Sequence, residues 1–292
     1  MFGQVLISGL MTGGVYALIS MGLTLIFGVT RLVNFAHGEL VMLSMFAGYL
    51  LSTIFGIDPY VGVIPVALGA FLVGVLLERG IIHPMLNASH AAQIFVTMGL
   101  SITLMNLALI VWGTDYRSVR TVYDGMVVYL GPWALGVPRI VTFVVAVLMM
   151  VGLLLFLSRT LLGKAITAVS QDRMAAQLMG IDIYKMYTIA FAIGVMFVGV
   201  AGCLLTPTYA TFPMVGQYFG LTSYVVVVLG GMGNVVGALF GGLLIGVVES
   251  LSGYFIAPAL KEAIYFVIFV VVLVIRPSGL FGIVGAEEMG IK

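Results

Sequence analysis

Apolar residues along this chain fall into long blocks separated by short polar breaks. The blocks run Val5–Val29, Leu40–Phe55, Tyr60–Leu77, Gln93–Trp112, Ile140–Leu157, Tyr187–Leu205, Leu221–Ala257 and Glu262–Ile275. A helix that crosses hydrocarbon needs about 20 mostly apolar residues. The pattern therefore predicts an all-α, polytopic membrane bundle of about eight hydrophobic segments, some of them discontinuous. Two blocks depart from it. Leu40–Phe55 is short for a full span, which tilts it toward a partly re-entrant element. Leu221–Ala257 is too long for one straight span, and Gly230-Gly231-Met232-Gly233-Asn234 interrupts it. Consecutive glycines followed by Asn favour a helix break, and in lipid a break survives only when it is buried in protein or lines a wet cavity. Asn34–Glu39 and Gly230–Asn234 thus stand as corresponding interruptions in the two halves, an arrangement that often marks a permeation site.

Composition agrees with a lipid solvent. The chain has 292 residues, 62% hydrophobic and 8% charged, against about 25% charged in soluble domains. It reads as one transmembrane domain over residues 1–292. A net charge of +1 argues against nucleic acid as a partner, which usually needs a basic patch. The single cysteine, Cys203, can form no internal disulfide. The first charged residue is Arg31, so the basic start of a cleavable signal is missing, and Val5–Val29 reads as a retained first span. His37, His83 and His90 lack metal-ligand spacing. The chain contains no Gly-x4-Gly-Lys-Ser/Thr, no Gly-x-Ser-x-Gly and no His-Glu-x2-His, so neither ATP binding nor enzyme chemistry is expected, and no cofactor. Energy for any work must come from another subunit or from an ion gradient.

Charge is concentrated in one island that carries Arg159, Lys164, Asp172, Arg173, Asp182 and Lys185, whereas Met186–Val248 contains no Asp, Glu, Lys or Arg. Excess Lys and Arg mark cytoplasmic loops, which places a loop over 158–186 inside. Counting spans puts Glu78–Ala92 on the same side and Gly113–Arg139 outside, with Trp112 and Trp133 at the outer interface. If Leu221–Ala257 folds back, Arg276 and the tail lie inside too. Within the island Asp172 suits an N-cap and Gly180 a C-terminal left-handed residue. Between them Ala175, Leu178 and Met179 form a short apolar stripe. Spacing leaves two readings open: a loop helix lying on its own bundle, or one that docks into a partner's groove.

The breaks also admit two readings each. Asn34, His37 and Glu39 line a polar pathway, since an ionisable residue at membrane depth is a functional hypothesis by default, or else form an interfacial turn with Arg31 and Glu39 solvated. Gly230, Gly231, Gly233 and Asn234 let half-helices meet, with their N-termini open to a carboxylate, or serve close packing. For Gly9-x3-Gly13, Gly237-x3-Gly241 and Gly242-x3-Gly246 packing is the expectation. Glu249 receives no role.

Met174-Ala175-Ala176-Gln177-Leu178-Met179-Gly180 resembles the Glu-Ala-Ala-x3-Gly loop of ABC importer permeases, with Met174 where that loop carries Glu. Asn34-Phe35-Ala36-His37-Gly38-Glu39, Asp172-Arg173 through Met179-Gly180-Ile181, Gly230-Gly231-Met232-Gly233-Asn234 and Arg276-Pro277-Ser278-Gly279-Leu280-Phe281-Gly282 together resemble the permease of branched-chain amino acid ABC transporters over nearly the whole chain. The resemblance implies that Asp172, Arg173, Ala175, Ala176, Leu178, Met179 and Gly180 form a coupling helix entering a cleft on an ATP-binding subunit. It implies two such subunits, a second homologous permease and a periplasmic or extracellular substrate-binding protein as partners, beside membrane lipid. Import of leucine, isoleucine, valine or related compounds across a bacterial inner membrane follows from it. The alternative is a secondary transporter driven by protons or sodium, with Glu39 or Glu249 as the titrating group.

Overall fold

The computed structural model describes residues 2–282 of the chain; the tail expected on the inner side after Gly282 lies outside the described residues. The helices are α1 (Phe2–Thr30), α2 (His37–Phe55), α3 (Pro59–Leu77), a short α4 (His83–Met85), α5 (His90–Trp112), α6 (Val137–Arg159), α7 (Leu161–Gln171), α8 (Arg173–Leu178), α9 (Ile183–Leu205), α10 (Val215–Gly230), α11 (Val235–Phe255) and α12 (Lys261–Ile275). Eight helical stretches are long and apolar enough to cross a membrane, and α10 is a shorter apolar helix. The long block Leu221–Ala257 thus divides at Gly230–Asn234 into α10 and α11, which fold back on each other. The third span outruns its apolar block: α3 continues through a π-turn, Glu78–Ile82, into α4. Pro84 follows at once and has no N–H to donate to the carbonyl four residues back, so a locally widened ladder is the natural accommodation.

Contacts sort the chain ends onto two faces. On one, the Gln4 amide brackets Ala134 in both directions, at 2.7 and 2.9 Å. Ala134 lies in an antiparallel hairpin, β1 (Val127–Leu130) with β2 (Trp133–Gly136). Arg117 and Thr211 exchange backbone hydrogen bonds there, joining the loop after α5 to the loop after α9. On the other face Arg31 donates to the Ser170 carbonyl at 3.2 Å, and Leu280 and Phe281 donate to the carbonyls of Leu229 and Gly230. The charged island, the end of α1, the Gly230–Asn234 turn and Arg276–Gly282 therefore share one face, opposite Gly113–Arg139, as the charge bias predicts.

Two helices do not run from face to face. α1 ends where Arg31 adopts φ +59°. The chain then turns back until His37 Nε2 lies 3.1 Å from the Ile19 carbonyl, a climb of roughly 16 Å at 1.5 Å per residue. α2 starts there and runs to the hairpin face. After α9 the chain likewise returns inward, and α10 starts with Tyr218 bonded to Tyr16, midway along α1, at 2.7 Å. It runs to the island face. The series α1, α2, α3, α5 and the series α9, α10, α11, α12 therefore follow one plan in opposite senses through the membrane. The packing is exchanged accordingly: α1 lies most extensively on α11, α9 on α3, and α10 on α2. The counterpart of Asn34–Glu39 in this inverted arrangement is the stretch before α10, not Gly230–Asn234. The pairing of those two breaks is corrected on that ground.

Small residues make the seams. A Cβ on Gly9 or Gly13 would fall on α11 backbone at Gly242–Val247, and one on Gly246 would fall on Gly13 and Gly9. Replacing Gly246 with Leu should therefore lower the thermal unfolding midpoint of the detergent-purified protein, since overpacking costs about 1–3 kcal/mol. Gly253→Leu, where no atom lies within 4 Å of an added Cβ, should leave it in place.

Candidate functional site

The starts of α2 and α10 cross at glycine. A Cβ on Gly38 would collide with the Gly216 carbonyl and with Gly220, so the two half-helices touch backbone to backbone. Around this crossing the break before α2 is tied down by its own polar groups. Asn34 Oδ1 accepts from the Ala36 N–H at 3.2 Å, and the Asn34 carbonyl accepts from the His37 N–H and from the Tyr224 hydroxyl. Ser101 on α5 donates to Glu39 Oε1 at 2.8 Å. Thr97, one turn earlier, reaches the Val33 carbonyl at 3.3 Å.

Asn34, His37 and Glu39 are thus brought together. His37 is 0% exposed and Glu39 3%, so the reading of a solvated interfacial turn is corrected: burial between α1, α5 and α10 takes Glu39 out of water. Among the described residues Thr24 Oγ1, Asn34 Nδ2, His37 Nδ1 and Glu39 Oε2 have no hydrogen-bond partner. Three of these orphaned polar atoms, on Asn34, His37 and Glu39, lie along one break and mark it as a place where another group or another conformation completes the bonding.

Gly230, Gly231, Gly233 and Asn234 lie apart from this group, at the island face. Gly231 and Gly233 have φ of +103° and +84°, which glycine takes without strain. Asn234 caps α11 by accepting from the Gly237 N–H at 3.0 Å and donates to the Phe281 carbonyl at 2.8 Å. The turn therefore holds the α10–α11 reversal against Arg276–Gly282. With Gly28, Arg31 and Ser170 it also lines a cleft of about 600 Å³.

A second polar cluster was not legible in the sequence. Glu249 on α11 is buried and accepts from Tyr16 at 2.6 Å, from Tyr218 at 3.2 Å and from Lys261 at 2.6 Å. It ties α11 to α1, α10 and α12. Nearby in the loop after α9, burial first, and then the charge of Glu249, hold the Tyr209 phenol above its ordinary pKa. The inverted counterpart is Glu78, fully buried towards the island face, where it accepts from Thr188 on α9 at 2.6 Å with His83 Nδ1 at 3.4 Å. An isolated acid inside an apolar block is a signal for such a site; the partners of Glu249 come from three other helices. Among the described residues no three His, Cys, Asp or Glu side chains converge on one point.

The island folds as two short helices. Thr160 caps α7 and Asp172 caps α8, each by accepting an N–H three residues on, at 2.9 and 3.0 Å. Gly180 closes α8 at φ +82°. Leu178 and Met179 are 86% and 82% exposed, and Ala175 is exposed beside them. Ala176 instead points inward and is buried, and the Arg173 guanidinium lies 5.4 Å from the Tyr187 ring centre. Ala176 and Arg173 thus anchor α8, while Ala175, Leu178 and Met179 face away from the bundle. α7 has no counterpart in the sequence reading; its Thr160 cap and the inward Ile166 and Val169 were the available signals.

A family profile described as the permease component of branched-chain amino acid transport systems matches residues 5–273. The BraD high-affinity branched-chain amino acid transport permease protein of Pseudomonas aeruginosa is 30% identical, over 96% of this chain and 95% of that one. The corresponding LivH protein of Escherichia coli is 29% identical over 96% of each. The RbsC ribose import permease protein of Haemophilus influenzae is 28% identical over 80% of this chain and 72% of its own. A chain of PsaBC from Streptococcus pneumoniae, solved in complex with Fab, shares the fold with a TM-score of 0.51 and 15% identity, over 93% of this chain and 91% of that one.

Removing the Tyr16 hydroxyl leaves Glu249 and Tyr218 each one bond short in a buried site. Tyr16→Phe should thus destabilise the purified protein by about 1–3 kcal/mol in thermal unfolding. Tyr129→Phe, exposed in the hairpin, should not.

Proposed function

The chain belongs to the family of branched-chain amino acid transport system permease components, and from that premise we propose how it works. It is the membrane-spanning part of an ATP-binding-cassette importer of leucine, isoleucine, valine or related small compounds in a bacterial inner membrane. Two ATP-binding subunits on the island face drive it, a second homologous permease completes the channel, and a binding protein delivers substrate at the hairpin face. The observation that carries this reading is the outward stripe Ala175–Leu178–Met179. A helix of α8's length is marginal by itself, yet here it is capped at both ends, anchored by Arg173 and Ala176, and presents its apolar side to solvent. Such a side suits a groove on a partner.

The translocation pathway runs past the crossing of α2 and α10, with Asn34, His37 and Glu39 on it. Gly230, Gly231, Gly233 and Asn234 hold the reversal that lets α10 follow the island face. Force applied to α8 reaches this crossing by short routes: Arg31 at the end of α1 is bonded to α7, and Arg173 lies on α9. Rocking the two inverted series about the Gly38–Gly216 contact opens the path to one face and then the other. The kinship with a ribose import permease protein fits a scaffold whose cargo is set by local side chains and by the binding protein.

Ala175→Asp with Leu178→Glu should weaken co-purification of the ATP-binding subunits by about tenfold or more, because charges would enter an apolar groove. Membrane insertion should be unaffected, and unchanged co-purification counts against docking through α8. In liposomes the chain alone should not accumulate leucine under a proton or sodium gradient, whereas the whole complex with ATP should. Accumulation by the lone chain establishes the ion-driven alternative.

A further inference from the structure

We infer that Glu39 and the first turn of α10 form a two-ended receptor at mid-depth, in which the free Glu39 carboxylate oxygen takes the substrate's ammonium group and the α10 N–H groups take its carboxylate. The inference rests on the amino-acid reading above and adds to it a residue that recognises the zwitterion.

Three observations meet at this point. Ser101 holds Oε1 of Glu39 at 2.8 Å, while Oε2 has no partner among the described residues although the residue is only 3% exposed. That free oxygen is aimed at the start of α10, where a Cβ built on Gly216 would overlap it. The helix start it faces has no side-chain cap, though the Val215 and Gln217 N–H groups already donate to the Phe212 and Met214 carbonyls. α3, α5, α7, α8, α9 and α11 each begin on a side chain that accepts a first-turn N–H, from Asp58, Ser89, Thr160, Asp172, Asp182 and Asn234. α10 begins at Val215 with no such cap, as do α2, α6 and α12; of these α10 is the one that Glu39 Oε2 faces. A helix start carries a positive dipole end, and at α10 the N–H groups besides those of Val215 and Gln217 remain for a ligand.

No ion pair among the described residues includes Glu39. Lys261 is paired with Glu249, and Arg31 bonds α7. The countercharge for Glu39 therefore comes from helix dipoles or from a visitor. An amino-acid zwitterion presents one group for each end: an ammonium for Oε2 and a carboxylate for the N–H groups. The outer side of α10 next to this point is exposed. Gln217 is exposed there, with its amide 3.3 Å from Met105, and Met214 and Leu221 are exposed beside it. Such a wall suits an aliphatic side chain.

The test uses the whole complex with its ATP-binding subunits and binding protein, reconstituted in proteoliposomes with radiolabelled leucine. Uptake is measured, together with leucine retained after the ATPase is trapped with vanadate. Glu39→Gln keeps the shape and the Ser101 bond but removes the charge. Both uptake and retention should fall about tenfold or more, the worth of a charged hydrogen bond. Glu39→Asp should recover part of both. Co-purification of the ATP-binding subunits and the unfolding midpoint, which report a purely structural role, should match wild type. Wild-type retention in Glu39→Gln overturns the inference, as does a loss of uptake with retention intact. If Glu39→Gln does not accumulate, Ser101→Ala decides: freeing the carboxylate should lower retention about threefold, and unchanged retention overturns the inference. A wild-type complex that imports no leucine instead refutes the amino-acid reading and leaves the receptor geometry to be probed with that complex's own zwitterionic or anionic cargo.

Discussion

Two helices of this protein start in its middle, and the rest of the architecture answers that fact. A helix start leaves unpaired N–H groups, and hydrocarbon offers nothing to bond them. α2 and α10 can therefore begin at mid-depth only inside a shell of protein. α1 and α9, the most deeply buried spans, supply it. Gly38, Gly216 and Gly220 let the two starts touch, and the positive φ of Arg31 turns the chain sharply enough to come back. Tyr224, Ser101 and Thr97 then bond groups along the returning chain. Each of these is a local exception that the inward start requires.

The inverted series give this centre two equivalent surroundings. In each, the third helix packs along the first helix of the other series and carries a buried carboxylate near its end. Glu78 bonds Thr188 of α9, and Glu249 bonds Tyr16 of α1. A charge held in a low-dielectric interior is costly unless paired and hydrogen-bonded, so each acid fixes the register of its pair of helices. Glu78 lies toward the island face, and Glu249 lies beside the start of α10. Rigid helix pairs that meet at bare glycine contacts are suited to tilt against each other while their own seams stay closed.

The island face is built by different chemistry. α8 is short and exposed, and its apolar stripe is wasted in water. Its stability comes from Asp172, Gly180 and the Arg173–Tyr187 stacking rather than from length. Through α7 and Arg31 the same island touches the end of α1, a few residues before the chain turns inward. The distance from α8 to the crossing is thus covered largely by helix.

Membrane residence, the helical class, the island and its capped helix were legible in the amino-acid order, because each depends on residues adjacent along the chain. Block length, a Gly cluster, Asp172 with Gly180 and the shortness of Leu40–Phe55 all act locally. The partners of polar groups were not legible. Glu249 meets Tyr16, Tyr218 and Lys261 only because α1, α10, α11 and α12 converge, and Glu39 meets Gly216 only because two series run in opposite senses. For the same reason the true counterpart of Asn34–Glu39 escaped notice. The stretch before α10 carries no charge and no glycine cluster, and its inward return is imposed by packing, whereas Gly230–Asn234 looks like a break but is a surface reversal. Local chemistry decided which segments enter the membrane and where they stop; the exchange of helices between the two halves decided which polar atoms face one another.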